Sequence, residues 1–294
     1  MHAALPDPDA YLAAPAKRIA LFGMSGVGKT RISKLLRDSG EWFHYSVDYR
    51  IGTRYLGEKI VDSFKSEAMK NPFLAGLLKA DSISIRSNLS FHNLGPLSTY
   101  LGKPGDAAKG GIPFDEYLAR QREHRDAEVA AMKDCAHFIR RAERLYGYPH
   151  FVCDTSGSIC EIVDPEDPND PVLTGLSQMA LPVLLRGTEA HREQLARRFD
   201  AAPKPMYYNE DFLREKWAEF LEAKGCAPEK VDPDAFIRWG YRELLSHRAP
   251  LYDAIARNWG VSLSTDDAAM LASAEEFNEL VARALSDKKA RAKA

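Results

Sequence analysis

Short apolar runs alternate with amphipathic stretches along much of this chain, and that alternation carries most of the structural information. Arg18–Phe22, RIALF, is an apolar run closed by Gly23 and predicts a buried strand. The following TRISKLLRDSG places Ile32, Leu35 and Leu36 at helical spacing and stops at Gly40. WFHYSVD (42–48), HFVCD (150–154), PVLLRG (182–187) and VSLST (261–265) read as four further strands. Between Phe114 and Tyr146 the residues Val129, Met132, Ala136 and Ile139 recur at intervals of three and four, which predicts one long helix or two. Thr188 can cap the helix TEAHREQLARRF, and helices are also expected around 211–224, 234–246 and in SAEEFNELVARAL. Residues 1–16, rich in Pro and Ala, read as a flexible leader. The stretch 65–112, with its scattered Asn, Ser, Gly and Pro, reads as a folded insertion, and DPEDPNDP (164–171) as a loop. Strands alternating with helices predict an α/β domain over 17–294 with a parallel sheet covered on both faces.

Composition narrows the class. The 294 residues are 45% hydrophobic and 28% charged, the balance of a folded soluble domain. Forty Lys and Arg stand against 42 Asp and Glu, so the net charge of −2 draws the molecule to neither nucleic acid nor anionic lipid. No apolar run approaches the ~20 residues of a membrane span, and the start lacks a charged region followed by an apolar stretch, so a cytoplasmic location is expected. Cys135, Cys153, Cys160 and Cys226 never form the C-x-x-C pairs of zinc sites and are read as reduced, mostly buried thiols. His44 and His92 stand among apolar residues and are read as packed core histidines.

The strongest chemical signal is Gly23-Met24-Ser25-Gly26-Val27-Gly28-Lys29-Thr30, a match to G-x-x-x-x-G-K-[ST] placed between a predicted strand and a predicted helix. At background composition a chain of this length matches by chance roughly once in a hundred, before the flanking elements are required. Glycines let the backbone turn its N–H groups toward one point, where a helix N-terminus adds positive potential. Lys29 would reach the outer phosphates of a nucleotide, and the Thr30 hydroxyl would ligate Mg²⁺. Asp154, an acid ending an apolar strand, fits the second metal determinant of such proteins, although an Asp before Thr-Ser-Gly-Ser is also ordinary turn chemistry. Asp48 likewise ends a predicted strand at the edge where α/β sheets bind ligands. Arg248, before Ala-Pro, offers a fork that could grip a carboxylate or phosphate.

Taken together, these segments resemble the shikimate kinase branch of the small P-loop kinases in five places that keep their order. They are the phosphate loop; Asp48-Tyr49-Arg50-Ile51-Gly52 with Gly57, Ile60 and Phe64; His124-Arg125-Asp126-Ala127-Glu128; FVCDTSGS (151–158), which retains Gly157 of a glycine triplet; and Arg248-Ala249-Pro250-Leu251-Tyr252 before the last strand. Between them VLLRGTEAHREQLARRF resembles strand four and the helix leading to a lid. The resemblance covers about half the chain, and Ser46 and Gly52 stand where the family carries acidic residues. It implies a five-stranded sheet in the order 2-3-1-4-5, a helical insertion after strand two, and a lid near 197–215 whose Arg197, Arg198 and Lys204 cover ATP. It further implies Asp48 as the acceptor's base, with Arg125, Gly157 and Arg248 as acceptor contacts.

The expected function is transfer of the γ-phosphoryl group of ATP, with Mg²⁺, to a small hydroxylated and acidic acceptor. The alternative is a nucleotide-driven ATPase or switch whose insertion binds a protein partner.

Overall fold

The computed structural model describes residues 4–293. In chain order the elements are α1 (Pro8–Ala13), β1 (Arg18–Phe22), α2 (Lys29–Asp38), β2 (Trp42–Ser46), α3 (Val47–Arg50), α4 (Gly57–Met69), α5 (Pro72–Lys79), α6 (Gly95–Leu101), α7 (Phe114–Tyr146), β3 (His150–Asp154) and α8 (Pro171–Met179). These are followed by β4 (Leu181–Arg186), α9 (Glu189–Ala201), α10 (Glu210–Lys224), α11 (Pro233–Trp259), β5 (Val261–Ser264), α12 (Thr265–Met270) and α13 (Ala274–Lys293). The chain separates into two compact units. One comprises the chain up to Val47, Val129–Ala202 and the chain from Tyr241 on; the other comprises Asp48–Glu128 and Pro203–Gly240.

The first unit holds a parallel sheet in the order β2-β3-β1-β4-β5, with helices on both faces. Beyond the exposed Arg18 its central strand is apolar because neither face meets water: Ile19, Ala20, Leu21 and Phe22 are all fully buried. Register aligns Leu21 with Asp154, and Ser46 with Asp154 on the other side, so the C-terminal ends of β1, β2 and β3 lie together. β2 stops at Ser46, where its partner β3 ends, so Val47 and Asp48 begin α3 instead of extending the strand as the pattern predicts.

Three further differences from the sequence reading have physical causes. Of the leader expected over 1–16, residues 1–3 lie outside the described residues, whereas Pro8–Ala13 is a helix capped by Asp7. It is held because Tyr11 is buried and donates to Asn278 Oδ1 at 2.9 Å. Residues 164–170 form the loop expected over 164–171, but Pro171 already opens α8, which the pattern does not predict: the Asp170 side chain accepts from the Val172 and Leu173 amides and Pro171 occupies the first turn. The helix expected over 234–246 runs on through Arg248 to Trp259, with Pro250 inside α11.

The second unit is built on helices and irregular chain around an aromatic core. Phe114 stacks on Trp217 with centroids 4.7 Å apart, and Trp217 meets Phe236 edge-on at 4.8 Å. The stretch expected as an insertion over 65–112 contains the end of α4, α5, α6 and irregular connections. His92 is exposed, not packed, because it sits in the turn closed by Ser90 and Asn93. Among the described residues the four cysteines form no disulfide, and no helix is long and apolar enough to cross a membrane.

Candidate functional site

β1 delivers the chain to the centre of the sheet edge, and three glycines then fold it into a loop before α2. Gly23, Gly26 and Gly28 have φ of 133°, 91° and 103°, values that side-chain-bearing residues rarely adopt. A Cβ on Gly23 would lie 2.7 Å from the Leu185 carbonyl oxygen, and one on Gly26 2.8 Å from Leu195 Cδ2. One on Gly28 would meet nothing, so glycine there answers to backbone conformation alone. Lys29, the first residue of α2, is 7% exposed and donates from Nζ to the carbonyls of Gly23 (2.8 Å) and Met24 (3.3 Å). Thr30 Oγ1 donates to Asp154 Oδ2 at 2.7 Å. Asp154 is buried at the end of β3, and His44 Nε2 lies 3.8 Å from the same carboxylate oxygen.

A hydroxyl and a carboxylate are therefore placed together beside a loop of backbone amides. Both are hard oxygen donors suited to Mg²⁺, which prefers one or two protein oxygens and fills its remaining positions with water and phosphate. The donor set fits that ion. Among the described residues there is no cluster of three or more His, Cys, Asp or Glu side chains of the kind a zinc site needs.

Next to the loop lies a buried charged network. Gly157 abuts the loop backbone: a Cβ there would lie 3.0 Å from the Ser25 amide nitrogen. Its carbonyl accepts from Arg248 Nη1 at 2.8 Å and from the Tyr252 hydroxyl. Arg248 is 1% exposed, and its Nε donates to Glu161 Oε1 at 2.8 Å. Burial by itself would raise the Glu161 carboxyl, but Arg248, together with His247 3.5 Å away, holds it below the usual carboxylate value. Burial likewise opposes the Arg248 charge, and Glu161 more than restores it, so that its guanidinium binds its proton more firmly than usual.

The remaining predicted residues fall in several places. Arg197 and Arg198 are exposed on α9 in the first unit. Asp48, half-buried in α3, Arg125 on α7 and exposed Lys204 belong to the second unit. Arg125 is solvated and lies 3.6 Å from its neighbour Asp126; the buried polar members of that motif are His124, stacked on Tyr207, and Glu128. The structure thus brings Lys29, Thr30, Asp154, Gly157 and Arg248 together around the loop. Sequence reading missed Glu161 and Tyr252 as members of this site. A buried Arg requires a carboxylate partner, and that rule is the signal that could have prompted a search for Glu161. A cavity of about 410 Å³ lies in the same unit, lined by Met24, Val27, Gly187, Leu195, Pro250 and Tyr252 among others.

No family model matches the chain, and no curated protein matches it. Among solved structures it is similar to the crystal structure of shikimate kinase from Bacteroides thetaiotaomicron, at 14% identity and a TM-score of 0.38, over 95% of this chain and 99% of that one.

Proposed function

We propose that the protein binds Mg²⁺ and ATP at the loop Gly23–Thr30 and transfers the γ-phosphoryl group to a small hydroxylated acceptor. The observation that carries this reading is the 2.7 Å contact of Thr30 with Asp154 beside a loop whose glycines all have positive φ. That constellation supplies amides and a cation for phosphate oxygens and two hard oxygens for the metal.

When nucleotide enters, Lys29 exchanges its hold on the loop carbonyls for phosphoryl oxygens and stabilises the negative charge that develops on them. Thr30 and Asp154 would hold a bound Mg²⁺, which would further neutralise phosphate charge. Arg197, Arg198 and Lys204 are proposed to cover the phosphates. Asp48 is proposed, from its motif alone, to accept the acceptor's hydroxyl proton as the bond from the γ-phosphorus to the bridging oxygen breaks and the bond to the acceptor oxygen forms. Arg125, exposed and beside Asp126, is proposed as an acceptor contact from its motif alone. Arg248 already carries a carboxylate partner, Glu161, which removes the reason for requiring an acid on the acceptor.

The test is ADP release from ATP and Mg²⁺ against a panel of hydroxy acids, sugars and nucleosides, with a control lacking any acceptor. ADP formation that depends on one class of acceptor supports phosphotransfer. Equal turnover without acceptor would replace it with the ATPase or switch reading, in which the second unit serves a protein partner.

A further inference from the structure

Arg248 is the one arginine among the largest fully buried side chains of the described residues, and a charge in that position must be both neutralised and hydrogen-bonded. Glu161 neutralises it through Nε. Nη1 then donates to the Gly157 carbonyl, an oxygen that also receives the Tyr252 hydroxyl, so both of its lone pairs are used. Arg248 and Tyr252 are four residues apart on α11 and so present their side chains on the same face of that helix. Gly157 also lies close against Ser25: a Cβ would stand 3.0 Å from the Ser25 nitrogen and 3.2 Å from Ser25 Cβ, tight enough that the loop would have to shift by a few tenths of an ångström. Ser25 lies within the loop, between Gly23 and Gly26.

Resting on the reading that this loop takes the phosphates of ATP, we infer that Arg248 is a positioning residue for the phosphate loop: with Tyr252 it clamps the Gly157 peptide, and the clamped peptide fixes the backbone at Ser25. Glu161 holds the guanidinium in the orientation that reaches Gly157. The function of Arg248 is therefore exerted on the nucleotide side, through backbone geometry, and not by gripping a carboxylate of the acceptor. Hydrogen bonds run from Glu161 through Arg248 to the Gly157 carbonyl, and Gly157 lies close enough to Ser25 that even an added Cβ would crowd it. A loop amide displaced by a fraction of an ångström gives a poorer hydrogen bond to phosphate, since these bonds weaken steeply away from 2.7–3.2 Å and linear geometry.

Two variants test this. Arg248→Lys keeps a cation opposite Glu161 but cannot reach Glu161 and Gly157 with one planar fork. Tyr252→Phe keeps the ring and the Arg248–Glu161 pair and removes one of the two hydrogen bonds on Gly157. Amide hydrogen exchange of residues 23–28, measured without nucleotide, is expected to rise about tenfold in Arg248→Lys and about threefold in Tyr252→Phe, the range expected for losing one hydrogen bond. Exchange at 18–22 should be unchanged. The Kd for ATP with Mg²⁺, measured without acceptor, should weaken by similar factors.

Wild-type exchange at 23–28 in both variants would overturn the inference, whether the variants show only a lowered Tm or only a raised acceptor KM. If Arg248→Lys fails to fold, Tyr252→Phe decides alone. Because the exchange measurement needs no nucleotide, it stands even if the wild-type chain proves unable to bind ATP, a result that would remove the proposed function and leave the clamp.

Discussion

Glu161→Gln preserves the shape of the buried pair and deletes its negative charge, which makes it a sensitive probe of the network beside the loop. Arg248 would then be a buried cation facing an amide. Removing one partner of a buried ion pair costs about 3–5 kcal/mol, and since the Gln oxygen can still accept from Nε the loss should fall near ~3 kcal/mol. At ~2–4 °C per kcal/mol for a domain of 150–250 residues, Tm should drop by roughly 6–12 °C at pH 7. The pH dependence gives a second handle. The Glu161 carboxyl is held below its unfolded value, so its stabilisation is complete above the ordinary carboxylate range near ~4.3 and is lost as pH falls through the lower folded value. The Gln variant has no proton to gain there, so the two melting curves should converge in acid. Thermal melts followed by circular dichroism from pH 7 to pH 3 measure both effects. An unchanged Tm at neutral pH, or a gap that stays constant into acid, would refute the assignment of Arg248 and Glu161 as a functioning buried pair.

The loop glycines should rank by environment. Gly28→Ala bears only the backbone strain of about 1–3 kcal/mol, whereas Gly23→Ala adds a contact of 2.7 Å with the Leu185 carbonyl, so ATP affinity and Tm should fall further in Gly23→Ala; the reverse order would contradict the loop geometry. Asp154→Asn should weaken the Mg²⁺-dependent part of ATP affinity by roughly 10- to 100-fold while Mg²⁺-free binding stays near wild type, as titrations with and without EDTA would show. Asp48→Asn should lower kcat for acceptor phosphorylation by roughly 10²- to 10⁴-fold with little change in the Kd for ATP, which single-turnover assays beside equilibrium binding would separate.

Much of this architecture is legible in the sequence because periodicity and turn chemistry report it directly. RIALF, HFVCD and PVLLRG have no polar alternation, and that is what strands buried on both faces look like; the structure places them as β1, β3 and β4 at the centre of the sheet. The loop was readable because its glycines answer a local backbone demand. What escaped was non-local. Glu161 acquires meaning only through Arg248, 87 positions along the chain, and no spacing rule connects them. Tyr11 orders the N-terminal segment through Asn278, which lies 267 positions away. α8 was missed for a different reason: DPEDPNDP hides an Asp170–Pro171 start signal inside a run that composition marks as loop. The pattern carries β2 two residues too far, to Asp48, because the length of β2 is set by where β3 ends, which β2's own residues do not encode.

The central claim is that Gly23–Thr30, completed by Asp154, is a Mg²⁺ and ATP site. Titrating ATP into the wild-type chain and into Lys29→Ala, each with Mg²⁺, tests it most directly. Lys29 serves the loop and not an apolar core, so the variant should keep its fold, with a Tm lowered by the loss of its bonds to the Gly23 and Met24 carbonyls, while its ATP affinity falls by roughly 10- to 100-fold, the loss expected when charge-assisted hydrogen bonds are removed. Saturable binding by the wild type and its loss in a folded Lys29→Ala is the predicted result. Absence of binding in the wild type, or undiminished affinity in Lys29→Ala, would contradict the account.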